Sequence, residues 1–249
     1  MDVNADVGES FGPWRMGRDE ALVPLVTSAN VACGFHAGDP AVIDRTVALC
    51  ARHGVAVGAH PSYHDLRGFG RRVLPAAPAE IETDVLYQVA AVAGFCRAHR
   101  VPLVHVKPHG ALYNQAAIEP EVADAVARGV ARAAPEAVLV GLATTAVMRE
   151  AAARAGLRYA AEAFADRRYE RDGTLQSRHV AGAVIEDADE AAAQAVAIAT
   201  RGRVRASDGS EVPLAADTLC LHGDNPSALR NAEAVRRALI AAGVEIRAL

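Results

Sequence analysis

Histidines, carboxylates and one lysine recur at the same kind of place in this chain: at or just beyond the end of a short apolar run. His36 lies in Ser28 to Pro40, SANVACGFHAGDP, held between Gly34 and Gly38, and Asp39-Pro40 then starts a helix. His60 follows VAVGA, Lys107 and His109 follow LVHV with Tyr113 and Asn114 close behind, Glu162 follows LRYAA, and His222 follows TLCL. Ahead of them all, Asp2, Asn4 and Asp6 alternate with Val3, Ala5 and Val7. On a strand this alternation puts the polar residues on one face and the apolar ones on the other. A carboxylate on a buried strand face is costly unless it is paired, hydrated or metal-bound, whereas on an exposed edge strand it would be idle. Imidazole and carboxylate groups are the usual acids, bases and metal ligands, and a lysine ammonium stabilises developing negative charge.

Particular sets suggest particular chemistry. Asp6 with His60 suits a base and its orienting partner, Lys107 an oxyanion or phosphate, and His36 or His222 an additional acid or ligand. His60 and His64 are four residues apart. On a helical turn both would face one way and, with Asp6, could hold a divalent metal with an open position; on an extended turn they would not. The segment RGFGRR at 67–72 suits a loop that meets an anion. The polar run AFADRRYERDGTLQSR, ending at Arg178, suits a lid or binding loop. Substrate contacts are expected from Asn30, His109, Asn114, Glu162, Arg178 and His222. Cys33, beside His36, would need a nearby base to act as a nucleophile.

Strands are expected at 2–7, 28–32, 55–59, 103–106, 137–142, 157–161, 218–221 and 244–249. Helices are expected near 18–26, 39–53, 79–99, 120–134, 145–155, 187–200 and 225–242, with a hairpin turning at Asp208-Gly209. The long helix presents Ile81, Val85, Leu86, Val89, Val92 and Phe95 on one face. About eight strand–helix alternations imply parallel strands with crossover helices. Polar residues at many different strand ends favour a closed barrel, where those ends converge, over an open sheet with a single switch point. No G-x-G-x-x-G follows a strand, which disfavours a dinucleotide fold.

With 249 residues, 51% hydrophobic and 22% charged, the chain suits one barrel domain over 1–249 with a sizeable core. A net charge of −4 gives no general case for nucleic acid or an anionic membrane surface. The four cysteines form no C-x-x-C pair, and Cys50, Cys96 and Cys220 sit in apolar patterns as core thiols. Neither a long apolar span nor a basic leader is present, so a reducing cytoplasm is expected.

Six segments together resemble the LamB/YcsF family, the A subunits of prokaryotic ATP-dependent 5-oxoprolinases: DVNADVGESFG at 2–12, SANVACGFHAGDP at 28–40, GAHPSYHDLRGFGRR at 58–72, KPHGALYN at 107–114, EAFADRRYERDGTLQSR at 162–178 and LCLHGDNPSA at 219–228. The resemblance implies an irregular (β/α) barrel of the glycoside hydrolase and deacetylase type, often seven-stranded. It implies cleavage of 5-oxo-L-proline to L-glutamate, with ATP and Mg2+ as co-substrate and subunits B and C as partners. Two other readings stay open at this level. One is a metal-dependent amide hydrolase or deacetylase using Asp6, His60 and His64; the other is a non-catalytic ligand-binding subunit. Homo-oligomerisation is also open.

Overall fold

The computed structural model describes residues 1–177, 180–221 and 227–249. Among these residues the strands are β1 (Asp2–Val7), β2 (Ser28–Ala32), β3 (Ala56–His60), β4 (Leu103–Val106), β5 (Val138–Leu142), β6 (Arg158–Phe164), β7 (Arg203–Arg205), β8 (Glu211–Pro213) and β9 (Thr218–Leu221). The helices are α1 (Asp19–Leu22), α2 (Pro40–His53), α3 (Pro78–Ala98), α4 (Gly110–Ala116), α5 (Pro120–Ala133), α6 (Val147–Arg154), α7 (Ala188–Arg201) and α8 (Ala228–Ala241).

Seven parallel strands close in the order β1-β2-β3-β4-β5-β6-β9, with β1 pairing β9 on one side and β2 on the other. β7 and β8 form the expected antiparallel hairpin outside the barrel. The alternation of β1 is realised with both faces buried. Val3, Ala5 and Val7 join the apolar layer under the helices, and Asp2, Asn4 and Asp6 join a buried polar network. At one end of that network the Asp2 carboxylate accepts from the hydroxyls of Thr27 (2.6 Å), Ser28 (2.7 Å) and Thr218 (2.5 Å). Burial pushes the Asp2 carboxyl up, and the three hydroxyls act against that rise.

The helix ends follow local rules. Asp39 accepts from the Val42 amide at 2.9 Å, Pro40 opens α2, and Gly54 ends it at φ 65°. α3 buries Ile81, Val85, Val89 and Val92 as its spacing predicts, each worth about 1.5–3 kcal/mol relative to exposure. Leu86 and Phe95, expected on the same face, are only half-buried, and Gln88 lies within the buried stripe.

Several expectations are corrected. The helix expected near 18–26 is the single turn α1 followed by a 3-10 turn, Val23–Leu25, because Pro24 removes a backbone donor. The strand expected at 157–161 continues to Phe164, so Glu162 sits within β6 and not beyond it. The segment 244–249 is no strand. β1 already has a partner on each side, so the tail finds no free edge. It ties instead to the first residue, Arg247 N–H donating to Met1 O at 3.1 Å and the Met1 amine to Glu245 O at 2.8 Å. KPHGALYN holds a helix, α4, that the apolar pattern does not reveal.

Candidate active site

The site lies where the strands end. Glu9 follows β1, His36 follows β2, His60 closes β3, and Lys107 and His109 follow β4. Two loops are locked together there. Gly110 adopts φ 57°, and the Ala111 amide donates to Gly70 O at 2.8 Å. A Cβ on Gly110 would collide with Gly70 O, and one on Gly70 would stand 2.8 Å from the His109 ring. Both positions therefore need glycine, and their contact seats His109 against the loop after β3.

Lys107, 3% exposed, is the only lysine in the chain. Its ammonium meets Glu162 Oε1 at 2.9 Å, Asp6 Oδ1 at 3.1 Å and Cys220 Sγ at 3.0 Å, and lies 5.5 Å from the Phe164 ring centre. Burial alone would lower its pKa, but the Asp6 and Glu162 carboxylates outweigh burial and hold it well above 10.5. The group is a fixed cation, not a proton donor. Asn30 donates to Asn4 Oδ1 (2.7 Å) and Asp6 Oδ1 (2.8 Å) and accepts from His105 Nε2 at 2.7 Å. Asn4 in turn donates to Glu162 Oε1 at 3.0 Å. The absence of a side chain at Gly58 leaves room for the His105 ring. Burial, then Lys107, lowers His105 to about 3, so it is neutral. This network orients Asp6 and Glu162 from below.

Three imidazoles stack and cross beside it. His36 lies parallel to His109 with ring centres 3.9 Å apart, and His60 crosses His109 edge-on at 4.8 Å. Their partners assign the tautomers. A carbonyl oxygen can only accept, so His60 Nδ1 carries the proton given to Lys107 O at 2.6 Å, and His109 Nε2 the one given to Phe69 O at 2.9 Å. Ser62 donates its hydroxyl to Tyr63 O at 2.9 Å, so it accepts from His36 Nδ1 at 3.0 Å. Gln88 clamps Ser62, accepting from its N–H and donating to its C=O, each at 2.9 Å. Burial, then the neighbouring histidines, holds His36 well below 6.5; burial, then His60, lowers His109 to about 3. His60 Nε2 lies 3.0 Å from His109 Nδ1 and 3.3 Å from Asp6 Oδ2, and His36 Nε2 lies 3.7 Å from Glu9 Oε1. Glu9, His36, His60 and His109 each bring a ligand atom within 4.8 Å of the others, a buried cluster able to bind a metal.

A cavity of about 860 Å³ opens over this floor, lined by Asp6, His60, Lys107, His109 and Asn114 together with Arg71, Arg72, Phe164 and Arg167. Of the residues expected to act, Asp6, His60 and Lys107 are brought together on its wall, and His36 is buried behind, stacked on His109. Of the expected substrate contacts, His109 and Asn114 reach the cavity, whereas Asn30 and Glu162 are fully buried and do not line it. Arg178 and His222, like the Asn225-Pro226 helix start, lie outside the described residues. The metal set Asp6, His60 and His64 is not assembled: the turn after His60 is not helical, and the exposed His64 stacks on Phe35 at 4.5 Å. Cys33 is a core thiol whose pKa burial pushes up, its sulfur accepting from His60 N at 3.2 Å. Sequence reading missed Glu9, Gln88 and His105. The usable signals were a carboxylate just past a strand end, a polar residue in an apolar stripe, and a histidine at an inward strand position. That Lys107 is the single lysine of the chain is a further such signal.

Seven parallel strands that deliver ionisable groups to one end of a closed barrel define a (β/α)-barrel protein with its site on the strand-end face. Within that class the chain belongs to the LamB/YcsF family, whose sequence model matches residues 1–249. The 5-oxoprolinase A subunit of Methylococcus capsulatus is 55% identical over 249 residues, covering 100% of this chain and 95% of the relative. The corresponding A subunit of Chloroflexus aggregans is 54% identical over 247 residues, covering 99% and 98%. The crystal structure of the lactam utilization protein from Thermus thermophilus superposes with a TM-score of 0.94 at 50% identity, covering 100% of this chain and 99% of that one. Among the described residues no helix is long and apolar enough to cross a membrane.

Proposed function

We propose that this chain is the hydrolase component that opens the lactam of 5-oxo-L-proline to L-glutamate, coupled to ATP hydrolysis and acting with subunits B and C. The observation that carries the reading is full-length identity of 55% and 54% to relatives named as A subunits of 5-oxoprolinase. The fixed cation and carboxylate at the cavity wall suit such chemistry.

The lactam is a resonance-stabilised amide with a poor nitrogen leaving group. Transfer of the ATP γ-phosphoryl to the amide oxygen releases ADP and makes the ring carbon electrophilic. Water then adds to that carbon. Loss of phosphate from the adduct would restore the lactam. Protonation of the ring nitrogen instead breaks the C–N bond and leaves an acyl phosphate, which a second water converts to glutamate and phosphate.

The chain has no G-x-x-x-x-G-K-[ST] segment, so the Mg2+–ATP step is assigned to the partners and ring opening to this cavity. Asp6, next to His60, is the base that takes the proton of the attacking water. Lys107 stabilises the oxygen or phosphate that gains charge. Arg71 and Arg72 on the cavity wall suit the substrate carboxylate or phosphate.

The test is glutamate and ADP formation from 5-oxoproline and ATP with the chain alone, the partners alone, and all three mixed. Activity is expected only in the mixture. Steady glutamate release by the chain alone would overturn the division of labour. An inert mixture of folded, associated subunits would overturn the function.

A further inference from the structure

We propose that Glu9, His36, His60 and His109 form a binding site for one divalent transition-metal ion, built into the cavity wall. The proposal rests on these residues alone and does not depend on the substrate assigned above.

The argument is one of unmatched lone pairs. Each imidazole has its proton committed away from the cluster: His60 Nδ1 to Lys107 O, His109 Nε2 to Phe69 O, and His36 Nδ1 to Ser62 Oγ. The opposite nitrogens, three lone pairs, therefore converge with the Glu9 carboxylate. Two of them face each other at 3.0 Å, and with both rings neutral no proton lies between them. His36 Nε2 has no hydrogen-bond partner among the described residues although His36 is 1% exposed. Such an arrangement is unfavourable when empty and resolved by a cation at its centre. A ring proton anchored to a carbonyl or hydroxyl, with the other nitrogen aimed inward, is the outer-shell pattern of metal-binding histidines.

Geometry and donor type narrow the ion. Tetrahedral coordination at 2.0–2.1 Å separates ligand atoms by about 3.3 Å. Two of the six separations, 3.0 Å and 3.7 Å, bracket that value and all six lie within 4.8 Å, so ring and carboxylate shifts of up to about 1.5 Å close the set. Three nitrogens and one oxygen suit Zn2+, Co2+, Fe2+ or Ni2+, whereas Mg2+ and Ca2+ take oxygen ligands. The four ligands come from the ends of four successive strands, β1 to β4, so the ion would also pin those loops. His60 and His109 line the cavity, which places the ion at its surface, beside Asp6. With the ion bound, His60 becomes a ligand and Asp6 alone keeps the place of the base.

The test is equilibrium dialysis of chelator-stripped full-length chain against Zn2+, Co2+ and Mg2+, with metal content per chain and the Co2+ visible spectrum as readouts. We expect one Zn2+ or Co2+ per chain, little Mg2+, and a Co2+ ligand-field band without the charge-transfer absorption of a thiolate. His36→Ala and His109→Ala should lose the ion, and His64→Ala should keep it. Ser62→Ala, which leaves all four ligands but removes the His36 anchor together with the hydroxyl bond to Tyr63 O, should bind about 10- to 100-fold more weakly. Folding of each variant is checked by circular dichroism, and the wild-type stoichiometry needs no variant. Folded wild-type chain holding less than about a tenth of an equivalent of Zn2+ or Co2+ would overturn the site. So would equal binding by folded His36→Ala, or equal loss by His64→Ala. Glutamate formation by demonstrably ion-free chain with its partners would remove any role of the ion in turnover and leave the function intact, whereas an ion-loaded chain inert with its partners would do the reverse.

Discussion

Replacing Lys107 with methionine tests the charge arrangement at the barrel mouth most directly. The ammonium stands 2.9 Å from Glu162 Oε1 and 3.1 Å from Asp6 Oδ1, all three groups being buried. At an effective dielectric near 20, each contact corresponds to about 5–6 kcal/mol of gross attraction. Most of that offsets desolvation, but Lys107→Met removes the attraction and leaves the carboxylates in place. Breaking a buried pair in this way costs about 3–5 kcal/mol. At about 2–4 °C per kcal/mol for a chain of this size, the melting temperature should fall by about 6–20 °C. Lys107→Met/Glu162→Gln removes one orphaned charge, and should melt above Lys107→Met alone. Thermal melts of wild type, both single variants and the double variant form a complete cycle. In the reconstituted mixture, Lys107→Met should lose at least about 10²-fold in kcat. A Lys107→Met melt within about 2 °C of wild type, or a double variant no more stable than Lys107→Met, would refute the reasoning.

Three further outcomes follow from other parts of the structure. Asp39 accepts from Gly12 N at 2.7 Å and Val42 N at 2.9 Å, and these bonds hold its carboxyl below the usual carboxylate range. Its contribution is therefore complete above the unfolded value of about 3.9 and fades as pH falls through the lower folded value; Asp39→Ala should cost about 1 kcal/mol in urea melts at pH 7, with the gap to wild type closing in acid. Gly110→Ala forces a Cβ into Gly70 O at φ 57°, and should lower both stability, by about 1–3 kcal/mol, and turnover; a wild-type melt and wild-type rates would show that the two loops are not locked as described. All four cysteines are buried and reduced, and burial pushes Cys50 to about 12 and Cys96 to about 11. A thiol reagent should label essentially none in the native chain and all four after unfolding; rapid native labelling of Cys33 would reopen its candidacy as a nucleophile.

Much of this architecture is legible in the chain alone, because it is local. The Asp39-Pro40 start and Gly54 stop of α2 are set by which backbone groups each residue can satisfy, and the stripe of α3 by helical period. The period-two alternation of β1 marked Asp2, Asn4 and Asp6 as sharing a face, and polar residues at many strand ends pointed to a closed barrel. What period cannot encode is which ends become neighbours. Asp6, Lys107 and Glu162 are separated by scores of residues, and only closure of β6 onto β9 and β9 onto β1 brings their charges into contact. Spacing suggests His60 with His64, but the turn between them is not helical and His64 is exposed, and the loops after β1, β2 and β4 supply Glu9, His36 and His109 instead. The tail at 244–249 has the composition of a strand, yet hydrogen-bond partners decide strands, and a closed barrel offers no edge. Residue type and local order were thus written in the sequence; proximity, burial and the direction of each ring's proton were decided by the tertiary structure.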